Sequence, residues 1–180
     1  FRPFENAKRF NQSNKRMCMP EIDEELFVNA IMELLAIDHQ WVPENLNHSL
    51  YIRPFIFATD PYIGIKPSEN YKFMIFTCPV GAYYSEPVSV KIETNFSRAV
   101  QGGTGSAKAA GNYAAALYPA MLAAEEGFRQ LIWTDAIEHK YIASIGSGNA
   151  DTIIDCKDKM VTSGFVDSHT HLVFDTLRIE

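Results

Sequence analysis

Gly102-Gly103-Thr104-Gly105-Ser106-Ala107-Lys108-Ala109-Ala110-Gly111-Asn112-Tyr113 sets one lysine among small residues, with a tyrosine five positions on and a helix expected from near Asn112. Two familiar glycine motifs are excluded. A Walker-type phosphate loop needs Gly before its lysine and Ser or Thr after it, but Ala107 and Ala109 hold those places. The dinucleotide fingerprint G-x-G-x-x-G fails because Lys108 stands where the third glycine belongs. A lysine lined by Ala and Gly has room around its amine, as Schiff-base chemistry requires. Burial there would favour the neutral, nucleophilic amine. The residues alone leave a second reading open, a solvated loop lysine.

The whole stretch closely resembles the lysine segment of the branched-chain amino acid aminotransferases, pyridoxal 5'-phosphate (PLP) enzymes of fold type IV. The resemblance implies that Lys108 carries the cofactor as an internal aldimine. It implies too that Tyr113, in the Gly-Asn-Tyr triplet, contacts the cofactor's phenolic oxygen. The opening segment Phe1 to Phe10 is also similar to the family, and its Arg2 stands where the family's arginine binds the PLP phosphate, a task suited to a bidentate guanidinium.

Between these segments the pattern reads as α/β. Ala7, Phe10, Asn14 and Met17 recur at helical spacing until Pro20. A second helix is expected from about Ile22 to Asp38, with Ile22, Leu26, Ala30, Leu34 and Ile37 as its apolar stripe and Asp23, Glu24 and Glu25 at its amino end. His39 and His48 read as solvated or capping. Ser49 to Ala58 alternates as a strand, placing Leu50, Ile52 and Ile56 on one face and Tyr51, Arg53, Phe55 and Phe57 on the other, with Pro54 marking an edge or a bulge. Period two sets the Tyr51 hydroxyl beside the Arg53 guanidinium. That is either a structural pair at a strand edge or a carboxylate receptor on an aromatic face. The run Leu50-Tyr51-Ile52-Arg53-Pro54 resembles the aminotransferase segment whose tyrosine and arginine help bind the substrate carboxylate.

Tyr71 to Val80 is nearly continuously apolar, as a buried strand would be, and Cys78 to Tyr84 resembles the family's interdomain segment. Val88, Val90 and Ile92 alternate as a half-buried strand. Tyr113, Ala116, Leu117, Ala120 and Ala124 form a helical stripe interrupted by Pro119 and closed by Gly127, followed by a strand over Phe128 to Asp135.

The chain has 180 residues, 47% hydrophobic and 21% charged, enough for a real core. Its net charge of -6 argues against a nucleic-acid or anionic-membrane partner. No apolar run reaches transmembrane length. Three widely spaced cysteines, Cys18, Cys78 and Cys156, suit free thiols in a cytoplasmic compartment. The chain opens on Phe1 with no signal-peptide pattern, so the native start is expected upstream.

The aminotransferase pattern stops after Glu138-His139-Lys140-Tyr141-Ile142, where Ala143-Ser144-Ile145-Gly146 replaces the family's pyridine-pairing glutamate segment. Residues 140–146, Thr152 to Cys156 and Lys159 to Phe174 resemble the opening of an amidohydrolase, closest to imidazolonepropionases. There His169 and His171, two apart on one face of a strand, would ligate zinc or iron. The expected organisation is a partial small α/β domain with a mixed sheet over 1–80, a connector over 81–87, a partial large PLP-binding domain over 88–141 and an amidohydrolase-like β segment over 142–180. By resemblance the activity is transamination of branched-chain amino acids with 2-oxoglutarate as acceptor, in a homodimer. The alternatives are a metal-dependent amidohydrolase and a non-catalytic fusion or truncation product. With the glutamate missing, turnover by this chain is expected to be weak or absent.

Overall fold

The computed structural model describes residues 2–45, 48–81, 88–145 and 154–155. The chain divides into two compact units, Phe1–Ala82 and Tyr83–Glu180.

In the first unit, α1 (Pro3–Arg16) begins on a proline, whose fixed φ suits a first helical position and whose missing N–H is no loss there. Asn11 ties α1 to the connector beyond it: its Nδ2 donates to Ile22 O at 2.7 Å and its Oδ1 accepts from Ile22 N at 2.9 Å. One residue later Asp23 caps α2 (Glu24–Asp38), accepting from Leu26 N at 2.8 Å. A one-turn 3-10 helix (His39–Trp41) comes next. His39 caps rather than reacts, with its Nδ1 3.0 Å from Ala36 O.

The buried face of α2 is Phe27, Val28 and Ile31, not the stripe anticipated; Leu26 is 59% and Ile37 72% exposed. Both i, i+4 series along this helix are apolar, so spacing alone does not choose between them. The aromatic ring of Phe27 decides: it packs against Phe10 at 5.4 Å and Phe73 at 5.8 Å, sealing a cluster with Ala7, Val28 and Ile31. Met17, beyond the end of α1, is exposed.

Strands β1 (Ser49–Ala58) and β2 (Tyr71–Val80) pair antiparallel along their full length, Tyr51 opposite Cys78 and Arg53 opposite Phe76. The sheet of this unit is therefore a two-stranded antiparallel hairpin rather than a mixed sheet. Ile52, Phe73 and Ile75 pack against the helical cluster. Met74 and Phe76 point away and are exposed, so β2 is covered on one face where a strand buried on both was expected. The connection is closed by Asp60, which accepts from Glu69 N at 2.7 Å, Asn70 N at 3.0 Å and Asn70 Nδ2 at 2.7 Å.

The second unit holds a mixed sheet in the order β3 (Val90–Glu93), β4 (Gln130–Thr134), β5 (Tyr141–Ile145) and β6 (Ile154–Asp155). β3 and β4 run parallel, joined through α3 (Gly111–Glu125), while β5 and β6 return antiparallel. α3 lays Ala116, Pro119 and Ala123 inward; Ala123, Leu131 and Trp133 make a buried cluster. Leu117 is 69% exposed, so the helix turns a different face inward from the one its largest aliphatic residue suggested. Pro119 sits within the helix without ending it. Gly127, at φ +89°, closes the helix in the left-handed conformation, with its N–H on Ala124 O at 3.0 Å.

Val88 and Val90 are half-buried as the alternation expects, but it breaks at the end of β3, where Ile92 is exposed and Glu93 buried. The Glu93 carboxylate accepts from Asn95 N and Phe96 N at 2.7 and 3.0 Å, turning the chain out of the strand. Its carbonyl accepts from Thr134 Oγ1 at 2.6 Å, and the same hydroxyl lies 2.8 Å from His139 Nδ1. Asp135 closes the β4–β5 hairpin with hydrogen bonds from Ile137, Glu138, Lys140 and Tyr141 N–H groups. No described helix is long and apolar enough to cross a membrane.

Phe27→Ala is expected to cost about 3–5 kcal/mol in chemical denaturation, whereas Ile37→Ala stays within about 0.5 kcal/mol. Equal effects would restore the other face of α2 to the core. The turn carboxylates predict an acid response. Hydrogen bonds from Glu69 N and the Asn70 side chain hold Asp60 down to about 2, against an ordinary 3.8. Those from Tyr141 and Glu138 N–H hold Asp135 lower still. Both folded values are depressed, so their stabilisation is complete above the unfolded value of 3.8 and is lost as pH falls through the folded ones. Melting temperature should therefore decline on acidification below that value, and Asp60→Asn combined with Asp135→Asn should flatten the decline.

Candidate active site

Each unit carries part of the residue set. In the second, the glycine-rich approach to Lys108 is shaped by two glycines with different reasons. Gly102 has φ +80°, which favours a residue without Cβ. At Gly105 an added Cβ would meet Ala99 Cβ at 2.5 Å. The chain then buries Ala107 and turns sharply: Ala109 N donates to Ala107 O at 2.9 Å, a three-residue γ-turn with Lys108 at its apex. The Lys108 side chain is exposed, so the described residues do not supply the desolvated setting expected for its amine.

Asn112, in the first turn of α3, reaches back to this loop. Its Nδ2 donates to Thr104 O and to Ala107 O, both at 2.7 Å, and its Oδ1 accepts from Thr104 Oγ1 at 2.8 Å. Tyr113 follows on α3, partly exposed. It lies close enough to Arg98 to act on it electrostatically: burial pulls the Arg98 pKa below the ordinary arginine value and Tyr113 opposes that shift. Arg98 Nε is sealed from solvent. Sequence reading passed over Arg98, Thr104 and Asn112. A lone arginine, threonine or asparagine has no period or spacing that singles it out.

In the first unit, the alternation of β1 brings Tyr51 and Arg53 together on the outward face. Arg53 Nη2 donates to the Tyr51 hydroxyl at 3.4 Å, and its guanidinium lies 5.0 Å from the Tyr51 ring and 5.8 Å from that of Phe76 across the hairpin. Arg53 is exposed beside the two rings, and a planar guanidinium of this kind can bind a carboxylate bidentately. Arg2, exposed at the N-cap of α1, accepts from Asn6 N and Nδ2 through its carbonyl. His169 and His171 lie outside the described residues, and among the described residues no three His, Cys, Asp or Glu side chains group as metal ligands.

No family model matches the chain. It is 51% identical over 152 residues to branched-chain-amino-acid aminotransferase 2 of Bacillus subtilis strain 168, covering 83% of this chain and 42% of that protein. It is 48% identical over 158 residues to branched-chain-amino-acid transaminase 1 of the same strain, covering 86% and 44%. The fold overlays a T.th. branched-chain amino acid aminotransferase, solved with pyridoxamine 5'-phosphate, at a TM-score of 0.66 and 26% identity, over 82% of this chain and 48% of that one. It overlays the enzyme of the archaeon Thermoproteus uzoniensis, solved with norvaline, at 0.67 and 22%, over 82% and 48%. These matches lend no support to the zinc or iron alternative. The chain is thus similar, in sequence and in fold over more than four-fifths of its residues, to the fold type IV branched-chain aminotransferases, and it spans less than half the length of those relatives.

Proposed function

We propose that this chain carries the lysine segment of a PLP-dependent branched-chain amino acid aminotransferase, acting with 2-oxoglutarate as amino acceptor. The observation that carries the reading is Lys108 at the apex of a γ-turn, in a stretch that falls within a 51% match to such an enzyme. PLP, when bound, supplies an aldehyde for amine exchange and a ring that withdraws electrons from the substrate Cα. The donors present fit such a group: a primary amine on a turn, a phenol at the start of α3 and, on the same unit, the half-buried guanidinium of Arg98.

In this reading Lys108 Nζ would hold the cofactor and carry the proton to and from the substrate Cα, work for an amine whose charge can be switched. Tyr113 would contact the cofactor's phenolic oxygen. Arg2 would hold its phosphate. Tyr51 and Arg53 receive the substrate carboxylate, the guanidinium by its fork and the phenol by its hydroxyl. Two copies of the chain pair as a homodimer; the hairpin of β1 and β2, each with an unpaired outer edge among the described residues, supports association. Free, exposed Cys18 and Cys78 suit the reducing cytoplasm.

The test is of attachment rather than turnover. The purified chain is incubated with PLP, treated with borohydride and mapped by peptide mass spectrometry. Pyridoxyl mass is expected on Lys108 in preference to the other lysines, and Lys108→Ala should abolish that signal without lowering the melting temperature. Labelling spread evenly over surface lysines would overturn the reading.

A further inference from the structure

We infer that Asn112 is a positioning residue for Lys108, a strap that sets the direction of the lysine by holding both shoulders of its loop. The inference rests on the reading of Lys108 given above and extends it to the residues that hold its loop.

Three observations carry it. The Ala107 carbonyl accepts twice, from Ala109 N at 2.9 Å and from Asn112 Nδ2 at 2.7 Å. A carbonyl oxygen has two lone pairs, so both are engaged and the peptide plane entering Lys108 is held from two sides. Next, the orientation of the Asn112 amide is unambiguous. Carbonyls only accept, so the nitrogen must face Thr104 O and Ala107 O, and the Thr104 hydroxyl spends its one proton on Oδ1. Finally, the amide does no capping: Ala110, the N-cap of α3, leaves the helix without a side-chain cap, and Asn112 donates back into the loop instead.

Such a strap has a reason to exist. Gly102, Gly103 and Gly105 make the approach to Lys108 conformationally permissive, and a lysine on a loose loop would spread its amine over many positions. Closing residues 104 to 112 by three hydrogen bonds removes that freedom at the residue that carries the amine. Misplacing a reacting group by about 1 Å can cost orders of magnitude in rate.

The experiment compares the 180-residue chain with Asn112→Ala, Asn112→Asp, Thr104→Val and Thr104→Ser, using two readouts. One is pyridoxylation of Lys108: its amine condenses with the PLP aldehyde, releasing one water, and borohydride delivers hydride to the carbon while solvent supplies the proton to nitrogen. The other needs no cofactor. Trace acetic anhydride labels all lysines in competition across a pH series, giving the pH profile of Lys108 against the rest. Asn112→Ala and Asn112→Asp should lower Lys108 pyridoxylation about tenfold and move its acylation profile while those of other lysines stay put. Thr104→Val should fall between them and the parent, and Thr104→Ser should match the parent.

Asn112→Ala reacting at Lys108 like the parent, with the same profile, would overturn the inference. Should the Asn112 variants lose their cooperative melt, Thr104→Val decides, and an unchanged Lys108 in it overturns the strap. Should the parent fail to pyridoxylate at Lys108, the functional reading fails, and the acylation arm still scores the strap by itself: a moved profile upholds it and an unmoved one overturns it.

Discussion

Backbone amides that leave a helix or strand must find an acceptor, and in this chain short side chains provide it. Asp60 closes the β1–β2 connection, Asp135 the β4–β5 hairpin, Glu93 the exit from β3 and Asp23 the entry to α2. Asn11 does the same with a carboxamide, accepting from Ile22 N and donating to Ile22 O, while Asn112 accepts from the Thr104 hydroxyl and donates to two loop carbonyls. The constraint is general, since an unpaired buried amide costs as much as a lost hydrogen bond. What is particular is the division of labour. Carboxylates serve where only N–H groups need partners, and carboxamides where a carbonyl must be satisfied as well. In the lysine loop the carbonyls of Thr104 and Ala107 each accept from a backbone N–H and again from Asn112 Nδ2.

This division explains what could and could not be read from the letters. β1 begins and ends where its alternation puts it and β2 where its apolar run does, because both patterns are local. The pairing of Tyr51 with Arg53 was equally legible, being a consequence of the same period. The inward faces of α2 and α3 were not. Both helices are apolar around most of their circumference, and it is contacts made elsewhere in the chain, Phe27 on Phe73 and Ala123 beside Leu131, that choose the side. Asn112 was illegible for a related reason. Its partners lie five and eight residues back in a segment with no period, so only the folded loop reveals them.

The candidate residues divide between the units by chemical kind. The first holds two cations and a phenol, with Arg53 near the Tyr51 and Phe76 rings and Arg2 at a helix start. The second holds the amine, with a phenol and the half-buried Arg98 on the same unit. The residues proposed for binding anions and the proposed reactive amine thus belong to different compact units. Each holds its groups by local means, alternation in one and a hydrogen-bonded turn in the other.

The Thr134 hydroxyl has one proton, and the Glu93 carbonyl, which can only accept, takes it. His139 Nδ1 must then be the donor in its 2.8 Å contact with that hydroxyl, which fixes the neutral ring in the Nδ1–H tautomer and leaves Nε2 as the basic nitrogen. The tautomer is thus set by the strand the ring touches, at a residue whose backbone angle, φ 52°, few residues other than glycine adopt.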